Sequence, residues 1–297
     1  WVYYSDDGIK EKLEKYQKGK DIGHKIYFYK NGKKEKEEFH VKDMRDGKWT
    51  AWYENGKKEK EEYYKKGKKT GKWNYYSETG KKESVISYIN DSKDGKSVYY
   101  HSNSRKKERE ESWKRNLENG LWVWWNEDGK KNQEGNYRSG QQHGTWINYN
   151  EKGRKIEESQ WKNGELYGKT TLWDKNGNKT ILKSFKEDEK DGLWIWWSPN
   201  GKKVKEGNFK LGDKNGKWTY YHANGKKKRL ENYKLGKKNG KLIVWFENGQ
   251  KEREESYKND EKHGKWTYWF ENGRLDKEEK YTNGVQTDGK HYDYFDN

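Results

Sequence analysis

The chain has no cysteine, one proline and few aliphatic side chains among its 297 residues. Without cysteine, disulfides, thiolate-ligated zinc and thiol catalysis are excluded. No apolar run exceeds a handful of residues, which rules out a membrane-spanning helix. The lone Pro199 leaves strands uninterrupted, and no segment carries the 3.6-residue apolar period of an amphipathic helix. Hydrophobic residues amount to 28% and aromatics alone to 16%, leaving about 12% for Ala, Val, Ile, Leu and Met together. With 39% charged residues and a net charge of +17, that poverty is ordinarily the composition of a disordered chain. The 18 Trp and 24 Tyr reverse this reading, because each buried aromatic withdraws about 150–250 Å² from water.

Glycine shows how the material is organised. One series, Gly23, Gly47, Gly71, Gly95, Gly120, Gly144, Gly168, Gly192, Gly216, Gly240, Gly264 and Gly289, is spaced by 24 residues with two spacings of 25. A second runs nine residues later, from Gly32 and Gly56 to Gly249 and Gly273, with Gly8 ahead of it and Ser104 as its one lapse. Self-similarity at such a period signals a repeat architecture. About twelve units fill residues 1–297 as one continuous array.

Each unit opens with five or six residues rich in Trp, Tyr, Thr, Val and Ile, as in GKWTYY from Gly216. These types favour strands. Asn-Gly or an equivalent follows, suited to a type I′ hairpin turn. A highly charged second strand then ends in an aromatic, as at Tyr64, Tyr137 and Tyr257, and a polar loop closes the unit. The expected fold is all-β: an elongated antiparallel meander of about twelve hairpin repeats in a single twisted or curled sheet. About 25 short strands at about 4.8 Å each would span on the order of 120 Å. An isolated hairpin is marginal in water, so each unit must gain stability by stacking on the next.

EGNYRSGQQHGTWINYNEKG (134–153) resembles the MORN (membrane occupation and recognition nexus) repeat, in the variant frequent in bacterial proteins and often labelled antitoxin-like. Its Glu-Gly-x-Tyr, Gly-x-x-x-Gly and His-Gly elements are all present, and His-Gly recurs at His263-Gly264. SVISYINDSKDG departs from the pattern by lacking the loop glycine. The resemblance implies a hairpin per repeat, a grooved sheet, and roles in scaffolding, self-association or lipid contact. By label alone it also implies neutralisation of a toxin partner.

Counted from each repeat glycine, position +5 is aromatic in every unit: Tyr4, Phe28, Trp52, Tyr76, Tyr100, Trp125, Tyr149, Trp173, Trp197, Tyr221, Trp245 and Trp269. This invariance marks a structural row. Positions +2 and +4 point to the other face. Their Trp49, Trp73, Trp122, Trp124, Trp146, Trp194, Trp196, Trp218 and Trp266 form a row that lapses at Lys25, Ser97, Thr170 and Asn148. Both rows serve as core in the simplest reading. If part of one stays open as a groove beside lysine, the second is the candidate binding row, for an extended peptide, glycan, lipid or single-stranded nucleic acid. The charged strands, with Glu37, Glu61, Glu134, Glu158, Glu206, Glu254 and Glu278 five residues past a turn glycine, read as a solvated face of cross-strand ion pairs.

No catalytic constellation, phosphate loop or metal-ligand pair departs from the repeat, and every Glu has equivalents in neighbouring units. Catalytic residues, cofactors and metals are therefore not expected among the seven histidines or elsewhere. The positive charge is spread along the chain, which gives general attraction to anions but no sequence-specific nucleic-acid readout. The first residue is Trp1 rather than Met, so the chain reads as a segment of a longer protein. Its compartment is open, with envelope or secretion favoured. The leading expectation is a non-catalytic scaffold for other proteins or copies of itself. The runner-up is a module for an anionic or extended ligand, such as a membrane surface, glycan or nucleic acid.

Overall fold

The computed structural model describes residues 1–292. The described residues form 33 strands and no helix, an antiparallel meander of hairpin repeats. The repeat from Gly47 shows the plan. A first strand, Gly47–Trp52, pairs with a second, Lys58–Lys65; a short third strand, Lys68–Lys69, folds back on the end of the second. The next first strand, Gly71–Tyr76, then continues along the same second strand. These two-residue third strands, hidden in the expected polar loop, raise the strand number above the anticipated 25.

The turn at Asn-Gly is not of the expected kind. At Tyr53–Lys57 the amide of Gly56 donates to the Tyr53 carbonyl at 2.8 Å, and Tyr53 in turn donates to Lys57 at 2.9 Å. Gly56 has φ +88° while Asn55 does not share the positive φ. A type I′ turn requires positive φ at both central residues, so Asn-Gly here makes a three-residue loop with a glycine bulge instead. The type I′ pair lies at the opposite edge, at Lys66 (φ +50°) and Gly67 (φ +81°). Where the loop glycine is missing, Asn90 and Asp91 adopt φ +48° and +71°, as short polar side chains tolerate. In the unit where Ser104 replaces a turn glycine, the loop is one residue longer and Arg105 carries the positive φ of 60°.

Two irregularities set which side chains share a face. Ala51 pairs with Lys60 but Trp52 with Lys58, so Glu59 is an extra, bulged residue. A bulge resets the alternation and brings Lys58 onto the same face as Glu61, three residues on. The second irregularity precedes each repeat glycine: Tyr64 pairs with Lys69, yet Lys60 pairs with Tyr75.

The chain divides into two compact units, residues 1–144 with 151–153, and residues 145–150 with 154–297. Both repeat the same plan. Each has a buried row on either side of its strands: +2 tryptophans on one, +3 residues such as Ile26, Thr50 and Val123 in the first unit and Ile195, Thr219 and Thr267 in the second on the other. The C-terminal strand, Val285–His291, pairs with Leu275–Thr282. The expected first strand GKHYDYFDN thus falls partly within it, and residues 293–297 lie outside the described residues.

Candidate binding face

Burial of the two aromatic rows is the reverse of what their regularity suggested. Trp73, Trp122, Trp146, Trp194, Trp218 and Trp266 are only 2–8% exposed. Trp49, Trp124 and Trp196 are half-buried, and so is the whole +5 row from Trp52, Tyr76, Tyr100 and Trp125 through Tyr149, Trp173, Trp197, Tyr221, Trp245 and Trp269. A +2 indole lies at mid-strand between flanking repeats, whereas +5 sits beside the turn at the strand end. Invariance at +5 therefore does not mark the deepest position.

Six of the +2 indoles are held by a polar bond as well as by packing. Trp73 Nε1 donates to the Tyr63 carbonyl at 3.0 Å, which also accepts from the Thr70 amide. The same bond joins Trp49 to Phe39, Trp122 to Ser112, Trp194 to Ser184, Trp218 to Asn208 and Trp266 to Ser256. The rings alternate with the aromatics that end the second strands. In the first unit Trp49, Tyr64, Trp73 and Tyr88 follow one another at 4.9–5.3 Å between centroids. In the second, Phe185, Trp194, Phe209 and Trp218 do so at 5.0–5.4 Å. Trp218 rests on a glycine: a Cβ at Gly207 would run into its indole. Where +2 lapses to Ser97 or Thr170, the hydroxyl is buried without a hydrogen-bond partner.

The second strands add a triad to this face through cation-x-Glu-x-aromatic, whose period of two keeps all three side chains together. Lys60, Glu62 and Tyr64 are one instance: Lys60 pairs with Glu62 at 3.2 Å, and Tyr64 donates to it at 3.1 Å. Arg109-Glu111-Trp113, Arg229-Glu231-Tyr233, Arg253-Glu255-Tyr257 and Lys277-Glu279-Tyr281 repeat it. Burial and the nearby Glu62 charge push the Tyr64 phenol up to about 12. This pattern was legible in the sequence but was hidden by reading KKEKEE as one undivided charge run.

The other face carries the expected glutamates, but they are less solvated than a surface row, and most pair along their own strand. Glu61 accepts from Lys48 at 2.6 Å, Lys58 at 2.7 Å and Tyr76 at 3.0 Å. Burial opposes its ionisation, yet these donors outweigh burial and hold the carboxyl down to about 2. Lys34–Glu37, Lys107–Glu110, Lys131–Glu134, Lys155–Glu158, Lys203–Glu206 and Lys251–Glu254 are equivalent pairs, three residues apart because of the bulge. Lysines that follow turn glycines are occupied too: Lys33, Lys57 and Lys226 reach the backbone carbonyls of Asn55, Thr79 and Asn248 in the next turn at 2.8–3.0 Å.

One cation set forms no ion pair among the described residues, and the sequence reading missed it. Arg45, Lys69 and Lys93 in the first unit, and Lys190, Lys238 and Lys262 in the second, come from the short third strands, and Lys214 from the start of the longer strand Asp213–Tyr221; all lie over ring faces at 4.3–5.5 Å. Its signal is a basic residue two before the repeat glycine, as in KKTG (68–71) and KKNG (237–240). Among the described residues, no group of His, Asp or Glu side chains is arranged to hold a metal ion.

The family model described as "MORN repeat variant" matches residues 45–66, 69–90, 118–139, 190–211, 214–235, 238–259 and 262–283. No curated protein matches the chain. Solved structures that align with it include the TCP10 domain of Danio rerio CPAP in complex with a peptide of Danio rerio STIL, at 13% identity over 91% of this chain and 100% of that one, TM-score 0.28. TcdB2-TccC3 aligns at 11% identity over 95% of this chain and 17% of that one, TM-score 0.21. The Photorhabdus luminescens Tc holotoxin pore aligns at 10% identity over 98% and 18%, TM-score 0.19. These scores fall below those of a shared fold.

Proposed function

Because the chain belongs to the MORN repeat family, in its variant form, we propose that it is a non-catalytic scaffold that binds other proteins or further copies of itself. MORN repeats are protein- and membrane-binding modules, and the family is non-enzymatic. The observation that carries the reading is an apolar row at the type I′ turn edge. Val41, Met44, Ile89 and Leu117 are 44–55% exposed in the first unit, and Leu211 and Leu235 are 64% and 55% exposed in the second. Scattered exposed apolar residues need no explanation, but these gather around one kind of turn: Val41 and Ile89 end second strands, Met44 and Leu117 begin third strands, and Leu211 and Leu235 lie in the turn itself. Leu211 and Leu235 also hold φ +49° and +47°, a left-handed conformation that costs a branched apolar residue energy. Equivalent turns begin with Lys18, Lys42 and Lys66, so the leucines serve something other than the turn.

Sedimentation velocity over a concentration series tests the self-association form of this reading. Association should persist at high salt and fall when Leu211→Lys and Leu235→Lys are combined. A monomer throughout that binds phosphatidylserine vesicles with steep salt dependence would replace it with the second reading. That alternative, an anionic ligand or membrane surface, is favoured by the cations two residues before the repeat glycines, which form no ion pair among the described residues.

A further inference from the structure

In several repeats the side chain at +4 lies opposite a second-strand cation and offers it a ring. Lys36 lies 4.1 Å from the Tyr27 ring, Arg109 3.8 Å from Tyr99, Lys205 4.3 Å from Trp196, Arg229 4.3 Å from Tyr220 and Lys277 4.4 Å from Tyr268. At Lys60 the opposite residue is Ala51. The missing ring leaves a cavity of about 540 Å³ between Trp49, Tyr64, Trp73 and Tyr75, within the size range of small-molecule sites. Val244, opposite Arg253, also opens a cavity, of about 430 Å³. That second cavity lies toward the turn, lined by Tyr220, Tyr221 and the bulged Glu252, and not by +2 or strand-ending aromatics as at Ala51.

The other repeats show what fits. Trp124 and Trp196 fill the equivalent position, each with its ring 5.6 Å from the neighbouring +2 indole, Trp122 or Trp194. A ring at Ala51 would meet Trp49 and Lys60 in the same way. The charges lining the cavity are unequal. Lys36 and Lys60 are paired with Glu38 and Glu62 at 3.0 and 3.2 Å, and Glu37 is engaged by Lys34 and His24. Arg45 and Lys69 also line it, over Trp49 at 4.3 Å and Trp73 at 4.6 Å, and neither forms an ion pair among the described residues. The Arg45 guanidinium donates to the Tyr64 hydroxyl at 3.0 Å. An aromatic-walled cavity with a cation above the vacant ring position and two cations outside any ion pair at one side selects a ring bearing an acid.

We propose that the Ala51 cavity is a binding site for an aromatic ring carrying a carboxylate. The ring takes the place of the absent +4 side chain, against Trp49 and facing Lys60, and the carboxylate turns toward Arg45 and Lys69. The site stands independently of whether the turn edge binds a protein.

Titration of the full chain with indole-3-acetate, read by saturation-transfer NMR and calorimetry, tests it. Saturable binding is expected, weaker by at least about tenfold in Ala51→Tyr. That variant installs the residue neighbouring repeats use, so a thermal midpoint at or above that of the parent verifies its folding. Replacing Arg45 and Lys69 together by methionine should weaken the acid, and indole-3-ethanol should bind the parent more weakly than indole-3-acetate. No saturation up to about 10 mM, or equal affinity in Ala51→Tyr, would overturn the site. Equal affinity for the alcohol and the acid would overturn the part assigned to the carboxylate.

Discussion

Trp218 and Trp197 occupy the same kind of strand and differ in what surrounds them. Trp218 is 2% exposed, lies on Gly207, touches Phe209 and donates to the Asn208 carbonyl. Trp197, at the strand end, is half-buried. Trp218→Ala should cost about 3–5 kcal/mol through lost transfer energy and a cavity, and Trp197→Ala less than half of that. Urea denaturation of the two variants checks the order, and a larger loss at Trp197 would refute it. Ser97 offers the converse case. Its buried hydroxyl has no partner, so Ser97→Ala should be neutral or raise stability by up to about 1 kcal/mol in the same assay.

At the scale of the element, the turns join one repeat to the next. Asn55 uses both ends of its amide: Oδ1 accepts from the Lys57 amide at 2.9 Å, and Nδ2 donates to the Glu78 carbonyl of the next turn at 2.8 Å. Asn31, Asn224 and Asn248 make the same reach to Glu54, Glu247 and Glu271. Asparagine serves where aspartate would not, because only the amide has a donor to send onward. Asn55→Asp keeps the acceptor within its own turn and loses the bond between turns, so a loss of about 1 kcal/mol is expected. Chemical denaturation equal to the parent would show that the second bond adds nothing. The opposite edge is tied in the same manner, with Asp91 and Asp260 accepting from Lys69 and Lys238 amides at 2.8 and 2.7 Å.

Across the whole molecule, charge sets the pH range of stability. Hydrogen bonds from Lys12 and Tyr3 hold Glu14 down to about 2, and Glu61 is held there against its burial by Lys48, Lys58 and Tyr76. Glu110, Glu206, Glu254 and Glu279 are lowered as well. A carboxyl lowered by folding stabilises the fold above its unfolded value, and that contribution fades as pH falls through the folded one. The acid limb should therefore lie between about pH 4.5 and 2. Tyrosines shift oppositely: burial and Glu61 push Tyr76 up to about 12, and burial and Glu206 do the same to Tyr221. Their contribution is complete below about pH 10 and lost as pH rises toward 12. Circular dichroism with tyrosinate absorbance should show unfolding and phenol ionisation together on that limb. Free titration of all tyrosines near pH 10 in a folded chain would contradict this.

The repeat, the all-β fold and the two aromatic rows could be read from sequence alone, because a period of 24 phases glycine, turn and strand identically in every copy. The acidic strand pattern was equally written there, in Lys60-x-Glu62-x-Tyr64 and its equivalents. Three things depended on tertiary structure. Burial at +2 rather than +5 follows from neighbouring strands, since an indole at mid-strand is covered from both sides and one at a strand end is not. Turn type follows from φ at two residues: Asn-Gly permits a type I′ turn without requiring it, and Lys66-Gly67 adopts one. The Ala51 cavity exists because Lys60, Arg45 and Lys69 arrive from three different strands around a methyl group where a ring usually stands, a meeting that only the register between strands brings about.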